Sequence, residues 1–399
     1  MIGVIETHPI QYHAPVYRIL QERFQIPVTA IYGSDFSVAG YKDPEFETDF
    51  AWNTDLLSGY ESVFLSRVVH GGARRSNQVS VRGLKEVLGK LAPRALLITG
   101  YSPRFNQLAC VEAMRGGYPI LFRGETTDHA QRRSYIKALL RDSALRWAYR
   151  RFAKLLYIGQ RSYRHYKRLN CPEENLVFSP YCVDIDAFRY DEDSRRRLRV
   201  PTRATLDASG KDTILLFCGK LSPRKGPDVI LRAVKHLPTE LREKLLIVFV
   251  GSGSMSEELK QLAAEAPAVR AEFVGFRNQT ELSPFYHAAD MLVLPSLHSE
   301  TWGLVVNEAL HHGLPCVVSD AVGCAPDLIE PGVTGEVCRN GDIQSLTQAI
   351  QRAQPLVNRP EVRASCRGKV SAYTVEKAAE GIASAYQEIS RRVPKFPTH

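Results

Sequence analysis

Apolar and polar residues alternate along the chain as short apolar runs separated by amphipathic stretches. In the N-terminal half the apolar runs have the length and the polar boundaries that are typical of buried strands. The stretches between them carry apolar residues at helical spacing. Strands are predicted at residues 2–6, 28–32, 95–99, 119–122 and 155–158, and helices at residues 15–22, 81–90 and 105–115. Strands that alternate with helices predict an α/β fold with a parallel sheet covered on both faces.

A second series of the same kind begins at Thr213 and extends to about Arg363. The two series are separated by a polar, highly charged stretch, which we interpret as a linker. A length of 399 residues suits two domains of ordinary size. The predicted organisation is an N-terminal domain at 1–190, a linker at 191–212, a C-terminal domain at 213–374 and a last helix within 375–399.

Two glutamates in the second series, Glu300 and Glu308, flank a glycine that opens a predicted helix. Glu300 falls in the loop after an apolar strand, and Glu308 falls about one turn inside the helix that begins near Gly303. The free amides of Gly303, Leu304 and Val305 at the helix N-terminus favour a bound anion. A carboxylate on each side of an anion site suits a nucleotide-sugar, which has hydroxyls at both ends and a diphosphate between them. Taken alone, the two glutamates are more simply explained as surface charges.

A basic loop about eighty residues earlier supplies the opposite charge. The predicted strand at 213–217 leads into a loop that contains Lys220, Arg224 and Lys225, and Pro227 is well placed as the first helical residue. In open parallel sheets, ligands bind at the loops that follow the carboxyl ends of strands. Lys220 and Lys225 can therefore neutralise a diphosphate leaving group, which lowers the barrier to its departure. The combination of this loop with the two glutamates favours a binding site over isolated surface charges.

Together these segments resemble the family-four retaining glycosyltransferases of the GT-B fold, the group that includes glycogen-synthase-like and mannosyltransferase-like enzymes. In that family a Gly-Arg-Leu-x-x-x-Lys-Gly segment meets a Glu-x7-Glu segment, and this chain matches them at 219–226 and 300–308. The resemblance is strong from about 214 to 337 and weaker back to 181–184. Further matching segments lie at 273–276, 312–318 and 332–337.

The resemblance implies two Rossmann-like domains that face each other across a cleft, with the donor on the C-terminal domain and the acceptor on the N-terminal domain. It implies that Lys225 contacts the donor phosphates, as does Lys220 from a position that is usually arginine. Because lysine replaces a bidentate fork by a point charge, Arg224 is a candidate to share that role. Glu300 would bind the transferred sugar and Glu308 the ribose. The remaining implied donor-binding residues are Gly219, Phe276, Trp302, Gly303, Leu304 and Val305. The last helix would cross back onto the first domain.

The loop after the first strand departs from the family, which more often has a glycine-rich loop there. This chain instead has His8, Gln11, Tyr12 and His13. The loop points into the cleft by the geometry of such sheets. Its hydrogen-bonding and stacking groups suit a sugar or another polar acceptor, and a structural role for the two histidines is an equal alternative.

The loop after the strand at 119–122 is a second departure. Many relatives have a His-Asp pair in this neighbourhood, whereas this chain has Arg123 and Glu125. Glu125 is a candidate for contact with the acceptor, and Arg123 for balancing the diphosphate charge. The alternative is that Arg123 and Glu125 form a structural ion pair with each other.

The net charge of +9 favours anionic ligands or surfaces. Many of the cations lie in the segment 131–154, where apolar residues recur near helical spacing and Asp142 is the single acid. A basic amphipathic helix of this kind can lie on an anionic membrane surface. The alternative, that its apolar face packs on the domain sheet, is favoured because a helix usually has one apolar face and the core needs it. The cations are Arg132, Arg133, Lys137, Arg141, Arg146, Arg150, Arg151 and Lys154.

The remaining composition bounds the class of protein. No apolar run approaches the ~20 residues that cross a bilayer, and the N-terminus lacks the features of a secretion signal. We therefore expect a cytoplasmic protein, with peripheral contact at the inner membrane face left open. The eight cysteines are scattered and are expected to be reduced core thiols. No metal-ligand spacing or nucleic-acid-binding motif is present, so we expect no metal, no cofactor and no nucleic-acid partner.

The sequence thus predicts a metal-independent retaining glycosyltransferase that moves a hexose-type sugar, from a UDP-sugar as the favoured donor, to a glycan, lipid-linked or natural-product acceptor, as in polysaccharide biosynthesis. Lys225, Lys220, Glu300 and Glu125 are the predicted catalytic residues. With no obvious carboxylate nucleophile, departure of the diphosphate from the front face is expected. A GT-B epimerase or glycan phosphorylase is the main alternative. A non-enzymatic binder of nucleic acid or anionic surfaces is a weaker one, and a dehydrogenase is disfavoured because the glycine turn at 250–254 lacks a third glycine.

Overall fold

The computed structural model describes residues 1–39, 41–42, 49–50, 55–126, 128, 135–210, 212–266 and 268–392. Within this part of the chain, the N-terminal domain is built on a seven-stranded parallel sheet in the order β5-β2-β1-β6-β7-β8-β9. Its strands are β1 (Ile2–Glu6), β2 (Val28–Tyr32), β5 (Glu61–Phe64), β6 (Ala95–Ile98), β7 (Ile120–Arg123), β8 (Lys154–Tyr157) and β9 (Leu176–Phe178), with a short antiparallel ribbon of β3 (Tyr41–Lys42) and β4 (Asp49–Phe50) between β2 and β5 along the chain.

Helices cover both faces of this sheet, and its central strands are buried on both sides because they carry near-continuous apolar runs. Ile2 and Val4 of β1 pack into the core on one face, and Ile5 packs into the core on the other. The N-terminal helices are α1 (Ala14–Glu22), α2 (Leu84–Leu91), α3 (Arg104–Arg115), α4 (Tyr135–Tyr149) and α5 (Gln160–Arg168). The predicted strands and helices of this half all exist, with boundaries that shift by up to three residues.

The C-terminal domain repeats the plan with a six-stranded parallel sheet, in the order β12-β11-β10-β13-β14-β15. The strands are β10 (Thr213–Cys218), β11 (Leu245–Val250), β12 (Arg270–Gly275), β13 (Met291–Leu294), β14 (Cys316–Ser319) and β15 (Gly335–Cys338). The helices are α6 (Glu192–Thr205), α7 (Pro227–Val234), α8 (Thr239–Arg242), α9 (Ser256–Ala264), α10 (Ser283–Ala288), α11 (Leu304–His311), α12 (Ala325–Leu328), α13 (Ile343–Ala353) and α14 (Pro360–Val370). Two Rossmann-like domains are therefore present, as the fold prediction requires.

The charged stretch interpreted as a linker at 191–212 forms helix α6, which packs against α10 in the C-terminal domain. Asp290 is fully buried, and its two carboxylate oxygens pair with Arg199 at 2.5 Å and with Arg203 at 3.1 Å. Arg199 also donates to the carbonyls of His287 and Ala288, at the end of α10. The high charge of this stretch thus serves pairing inside a domain, and only residue 211 lies outside the described part.

The last helix, α15 (Val375–Arg392), packs on the N-terminal domain, the location that the resemblance implies. Ala378, Ile382 and Ala385 are buried in the same core as the first strand. The amino group of Met1 donates to the Tyr386 hydroxyl at 2.8 Å. Residues 393–399 of the predicted segment lie outside the described residues. Helix α15 therefore ties the end of the chain to its beginning.

Candidate donor and acceptor site

The loops after two neighbouring strands of the C-terminal sheet form one half of the site. Strands β10 and β13 are hydrogen-bonded neighbours, so their carboxyl-terminal loops lie side by side. After β10 the chain makes a 3-10 turn at Pro223–Lys225, and Gly226 takes a left-handed conformation before α7 begins at Pro227. This turn directs Lys225 across to the β13 loop, where its ammonium forms an ion pair with Glu300.

The Glu300 carboxylate is nearly buried and is held by cations. Besides Lys225, the guanidinium of Arg224 lies 3.7 Å from its Oε2 atom. The hydroxyl of Ser296 donates to the same oxygen at 3.1 Å. Lys225 and Arg224, two of the cations that the resemblance assigns to the donor phosphates, therefore neutralise a carboxylate in this structure.

Helix α11 begins directly beyond Glu300. Gly303 precedes it with φ of 98°, in the left-handed region, and a Cβ atom at this position would lie 2.9 Å from a methyl carbon of Val322. A glycine is thus required both by the backbone angle and by the close approach. The amides at the start of this eight-residue helix supply partial positive charge next to the loop that carries Glu300.

Glu308 lies one turn further along α11 and is almost fully buried. Its Oε2 atom accepts a hydrogen bond from the Tyr286 hydroxyl at 2.6 Å, and the Tyr12 hydroxyl also donates to this carboxylate. Burial raises the pKa of Glu308 to about 7, although the Tyr286 bond and the nearby Lys225 cation act in the opposite direction. Protonation of this carboxylate is therefore expected to change near neutral pH.

A small pocket of about 100 Å³ opens beside Glu308. Both domains line it, because Gln11 and Tyr12 reach it from the loop after β1. The side-chain carbonyl of Gln11 is buried there and accepts no hydrogen bond. The C-terminal residues on its walls include Gly219, Val250, Phe276, Leu282, Val305 and Glu308. This mixture of apolar walls, an aromatic ring and polar acceptors can hold a planar group with hydroxyls or N–H donors.

A larger cavity of about 400 Å³ lies in the cleft between the domains. Its polar wall residues come from several strand-end loops of the N-terminal domain and from the residue that follows Glu300. Among the residues that line it are Thr7, His8, His13, Asn106, Arg123, Glu125, Tyr181 and Thr301. The cavity thus reaches Thr301, the residue after Glu300, and the small pocket reaches Val305 and Glu308 in α11.

The family model for "Glycosyl transferases group 1" matches residues 201–366. Within the C-terminal domain, the chain is therefore similar to the group 1 glycosyltransferases. A curated relative, the D-inositol 3-phosphate glycosyltransferase of Mycobacterium marinum, is 34% identical over 172 residues, which is 42% of this chain and 34% of that protein. The chain thus matches about a third of the length of this relative, and less than half of the chain is included in the alignment.

Solved structures show a similarity of fold that covers almost the whole chain. Sucrose-phosphate synthase from Thermosynechococcus elongatus superposes with a TM-score of 0.71 at 17% identity, covering 98% of this chain and 99% of that one. The Anabaena protein Alr3699/HepE, solved in complex with UDP and glucose, superposes with a TM-score of 0.69 at 16% identity, covering 97% and 99%. The fold is GT-B, and the resemblance to family four is confirmed.

Tyr12 and Gln11, which the sequence predicts to contact the acceptor, line the small pocket beside Glu308. Their contact with an acceptor stays a prediction. The loop after β1 crosses the cleft far enough to contact the opposite domain. The sequence gives no signal for that contact.

The two histidines of the same loop do line the cleft cavity. His13 Nδ1 lies 2.5 Å from Oε1 of the buried Glu6, which also accepts from the Tyr17 hydroxyl at 2.7 Å. Since a carboxylate only accepts, Nδ1 carries the proton, and His13 Nε2 remains buried without a partner. His8 packs against the Phe36 ring, and burial lowers its pKa to about 4.

Arg123 and Glu125 do not pair with each other, which corrects the structural alternative. Arg123 is buried and donates to the carbonyls of Ser179 at 3.3 Å and Pro180 at 2.6 Å. Glu125 accepts from the hydroxyls of Tyr181 and of Thr301, the latter at 2.7 Å. Arg123 thus supports the cleft wall, while Glu125 bridges the two domains beside the site.

Trp302, a predicted donor-binding residue, is nearly buried at the domain junction. Its ring stacks on Tyr181 with centroids 6.2 Å apart, and its Nε1 donates to Asn307 at 2.8 Å. Lys220 is half-buried directly after Gly219, at the carboxyl end of β10. The contact of Trp302 with Tyr181 was not foreseen, because aromatic stacking between domains leaves no spacing signal in sequence.

Among the residues that the structure describes, no three His, Cys, Asp or Glu side chains are grouped so as to hold a metal ion. All eight cysteines are buried free thiols. No helix in the described ranges has the length and apolar character needed to cross a membrane.

Proposed function

We propose that this protein is a retaining, metal-independent glycosyltransferase that moves a hexose-type sugar from a nucleotide-sugar to a hydroxyl group of an acceptor. The observation that carries the proposal is the ion pair between Lys225 and Glu300. Glu300 lies in the loop just before α11, and Glu308 lies in that helix. Cations, helix amides and two carboxylates converge there at the carboxyl ends of β10 and β13. This is the set of groups that a sugar, a diphosphate and a ribose need.

Donor binding would exchange the partners of this ion pair. The donor diphosphate takes Lys225 and Arg224, which releases Glu300 to accept hydrogen bonds from the hydroxyls of the transferred sugar. The ribose hydroxyls donate to Glu308, and the base occupies the small pocket against Phe276. The existing pair keeps both charges compensated before the donor arrives, so that neither is buried alone.

The chemistry then rests on stabilising the leaving group. The bond between the anomeric carbon and the diphosphate oxygen breaks, and the acceptor oxygen forms its bond to the same face of that carbon. The acceptor proton passes to the departing phosphate oxygen. Lys225, Lys220 and the α11 amides stabilise the negative charge that develops on the diphosphate.

The acceptor occupies the cleft cavity, where Glu125 and His13 can position its hydroxyls. His13 Nε2 is buried, unpartnered and held in place through Nδ1 by Glu6, so it can accept from a hydroxyl group. Glu125 accepts a hydrogen bond from Thr301, which is the residue after Glu300. A glycan, a lipid-linked sugar or a natural product fits this description equally well.

A UDP-sugar is the favoured donor, supported by the similarity of the whole chain to the Anabaena protein that was solved with UDP and glucose. The test is a panel of UDP-, GDP- and ADP-sugars in thermal shift, followed by product analysis with and without acceptor and with EDTA. We expect one nucleotide series to raise the melting temperature and EDTA to leave turnover unchanged. Stabilisation by none of them would overturn the proposal, and sugar isomerisation without acceptor would favour an epimerase.

A further inference from the structure

Helix α4 presents an apolar face to solvent. Ile136, Leu139, Leu140 and Trp147 are 69%, 56%, 67% and 52% exposed. Their spacing of three, four and eleven residues from Ile136 places them on the same side of the helix. Single exposed apolar side chains are common on proteins, but a continuous row of four large ones marks an interaction surface.

The core of the domain does not need this face, because the opposite side of the same helix is also apolar. Leu145 and Tyr149 are buried, and Phe152 continues that side just after the helix. Arg141, on the inner side, donates to the Tyr101 hydroxyl at 3.2 Å. The expectation that an apolar face of this helix packs on the domain core is confirmed, but the premise that the helix has only one such face is wrong. The helix has two apolar faces, and only one of them is covered within the described part of the chain.

Positive charge surrounds the exposed face. Lys137, Arg150 and Arg151 are exposed along or just after α4, and the guanidinium of Arg151 lies 3.9 Å from the centre of the Trp147 ring. The single acid of the helix, Asp142, is paired with Arg141 and Arg168 on the inner side. The outer surface thus combines apolar side chains with three cations that form no ion pair with any carboxylate in the described ranges. Residues 131–134, at the start of the basic segment, lie outside the described residues.

A groove extends this surface towards helix α3. Its volume is about 670 Å³, and Trp147 forms one of its walls. Arg115 and Arg151 stand at the groove together with apolar side chains. The apolar lining includes Val111, Met114, Tyr118 and Pro119.

We propose that this surface, the exposed side of α4 with the adjoining α3 groove, docks on an anionic lipid bilayer. Leucine, isoleucine and tryptophan side chains would enter the boundary between head groups and acyl chains, while the cations meet lipid phosphates. A soluble polyanion would use the cations but not the four apolar side chains. The inference goes beyond the proposed function and does not depend on it, because it concerns a different face of the N-terminal domain.

Docking in this way sets the orientation of the cleft. Tyr101, which accepts a hydrogen bond from Arg141 on the inner side of α4, lines the cleft cavity, as does Thr126 in the loop after β7. One wall of the cleft cavity therefore contacts the inner side of the helix whose outer side docks. An acceptor presented at a bilayer surface would have a short path to the site.

The experiment is flotation of the full chain with vesicles of phosphatidylcholine alone or mixed with phosphatidylglycerol. We expect binding to the anionic vesicles that weakens as salt is raised. The double variant Ile136→Ser with Leu140→Ser should lower the partition constant about tenfold or more. The control is Val69→Ser with Val200→Ser, since these residues are 79% and 72% exposed on other surfaces and should not affect binding.

A second readout is independent of the serine variants. Brominated lipids should quench the tryptophan fluorescence of the vesicle-bound protein, and Trp147→Phe should remove most of that quenching. Three results would overturn the proposal. They are no binding of the wild type to anionic vesicles, binding of the α4 double variant equal to that of the wild type, or sedimentation showing that the wild type is a dimer and the α4 double variant a monomer. Equal retention of both double variants on heparin, with no vesicle binding, would show a soluble polyanion as the partner.

Discussion

Glu125 accepts a hydrogen bond from the Thr301 hydroxyl, 2.7 Å away, and this bond joins the two domains one residue from Glu300. Glu125 belongs to the loop after β7, and Thr301 precedes the helix that carries Glu308. Tyr181, which also donates to Glu125, stacks on Trp302. The loop on the proposed acceptor side is thus joined by a hydrogen bond to the loop on the proposed donor side.

Thr301→Val removes this hydrogen bond with little change of shape. A hydrogen bond of this kind contributes about 1 kcal/mol, so we expect kcat/KM for the acceptor to fall about fivefold. Glu125 keeps its bond from Tyr181, and the melting temperature should change little. Steady-state kinetics with varied acceptor measures the effect. Thr301→Ser keeps the hydroxyl and is the matched control, so an equal loss in both variants would exclude the bond as its cause.

Lys225→Ala removes the cation that lies closest to Glu300. Because Lys225 is proposed to stabilise charge on the leaving diphosphate, we expect kcat to fall by at least about 100-fold. The fold should remain, since Arg224 still lies near the Glu300 carboxylate. Single-turnover rates and circular dichroism test both statements. Lys235→Ala, at an exposed position just after α7, should leave kcat unchanged, and near-normal turnover of Lys225→Ala would contradict the leaving-group role.

The raised pKa of Glu308, about 7, should appear in the pH dependence of donor binding. In the proposed complex the ribose hydroxyls donate to the carboxylate, so the donor should bind the ionised form. We therefore predict that the donor KM rises about tenfold for each pH unit below 7. Initial rates between pH 5.5 and 8.5 provide the measurement. Glu308→Gln should give a high KM that does not vary with pH, and a pH-independent KM in the wild type would contradict the assignment.

The same shift also has a consequence for stability. The folded pKa of Glu308 lies above its ordinary value, so the folded protein keeps a proton that the unfolded chain releases. The contribution of this group to stability is therefore present at low pH and is lost as pH rises through about 7. Glu308→Gln should reduce the fall of melting temperature between pH 5.5 and 8, as thermal denaturation at matched ionic strength can measure.

Tyr12→Phe separates the contact made by the N-terminal domain from the rest of the Glu308 site. The Tyr12 hydroxyl bond lowers the pKa of Glu308, while burial raises it. Removing the hydroxyl should therefore move the midpoint of the KM profile to higher pH. The Tyr286 bond remains in this variant. A midpoint that stays in place, or moves to lower pH, would show that Tyr12 does not act on the carboxylate.

Much of the donor side could be predicted from the sequence because its residues follow strands of one parallel sheet. Lys225 and Glu300 come after β10 and β13, which are neighbours in that sheet, so local elements already bring their loops together. The left-handed Gly303 and the helix behind it follow from local turn chemistry in the same way. These features depend on short-range sequence patterns and on the rule that ligand-binding loops follow the carboxyl ends of strands in an open parallel sheet.

The contacts between the domains could not be predicted in this way. Tyr12 reaches Glu308, and Glu125 reaches Thr301, only because of the relative placement of two separately folded sheets. The charge of 191–212 was misleading for a related reason. A run of charges predicts exposure unless a buried partner exists, and Asp290 lies 85 or more residues further along the chain.

Arg203→Met tests whether helix α6 is part of the C-terminal domain. Arg203 pairs with the buried Asp290 and also donates to the carbonyl of Ala288 at 2.9 Å. Loss of one partner of a buried ion pair leaves the other charge undercompensated, so we expect the free energy of unfolding to fall by about 3 kcal/mol. Urea denaturation followed by circular dichroism measures this change. Arg196→Met, on the exposed side of the same helix, should cost less than about 1 kcal/mol, because its pair with Asp193 is solvated. Equal, small effects of the two variants would mean that α6 is a dispensable connection rather than an integral part of the domain.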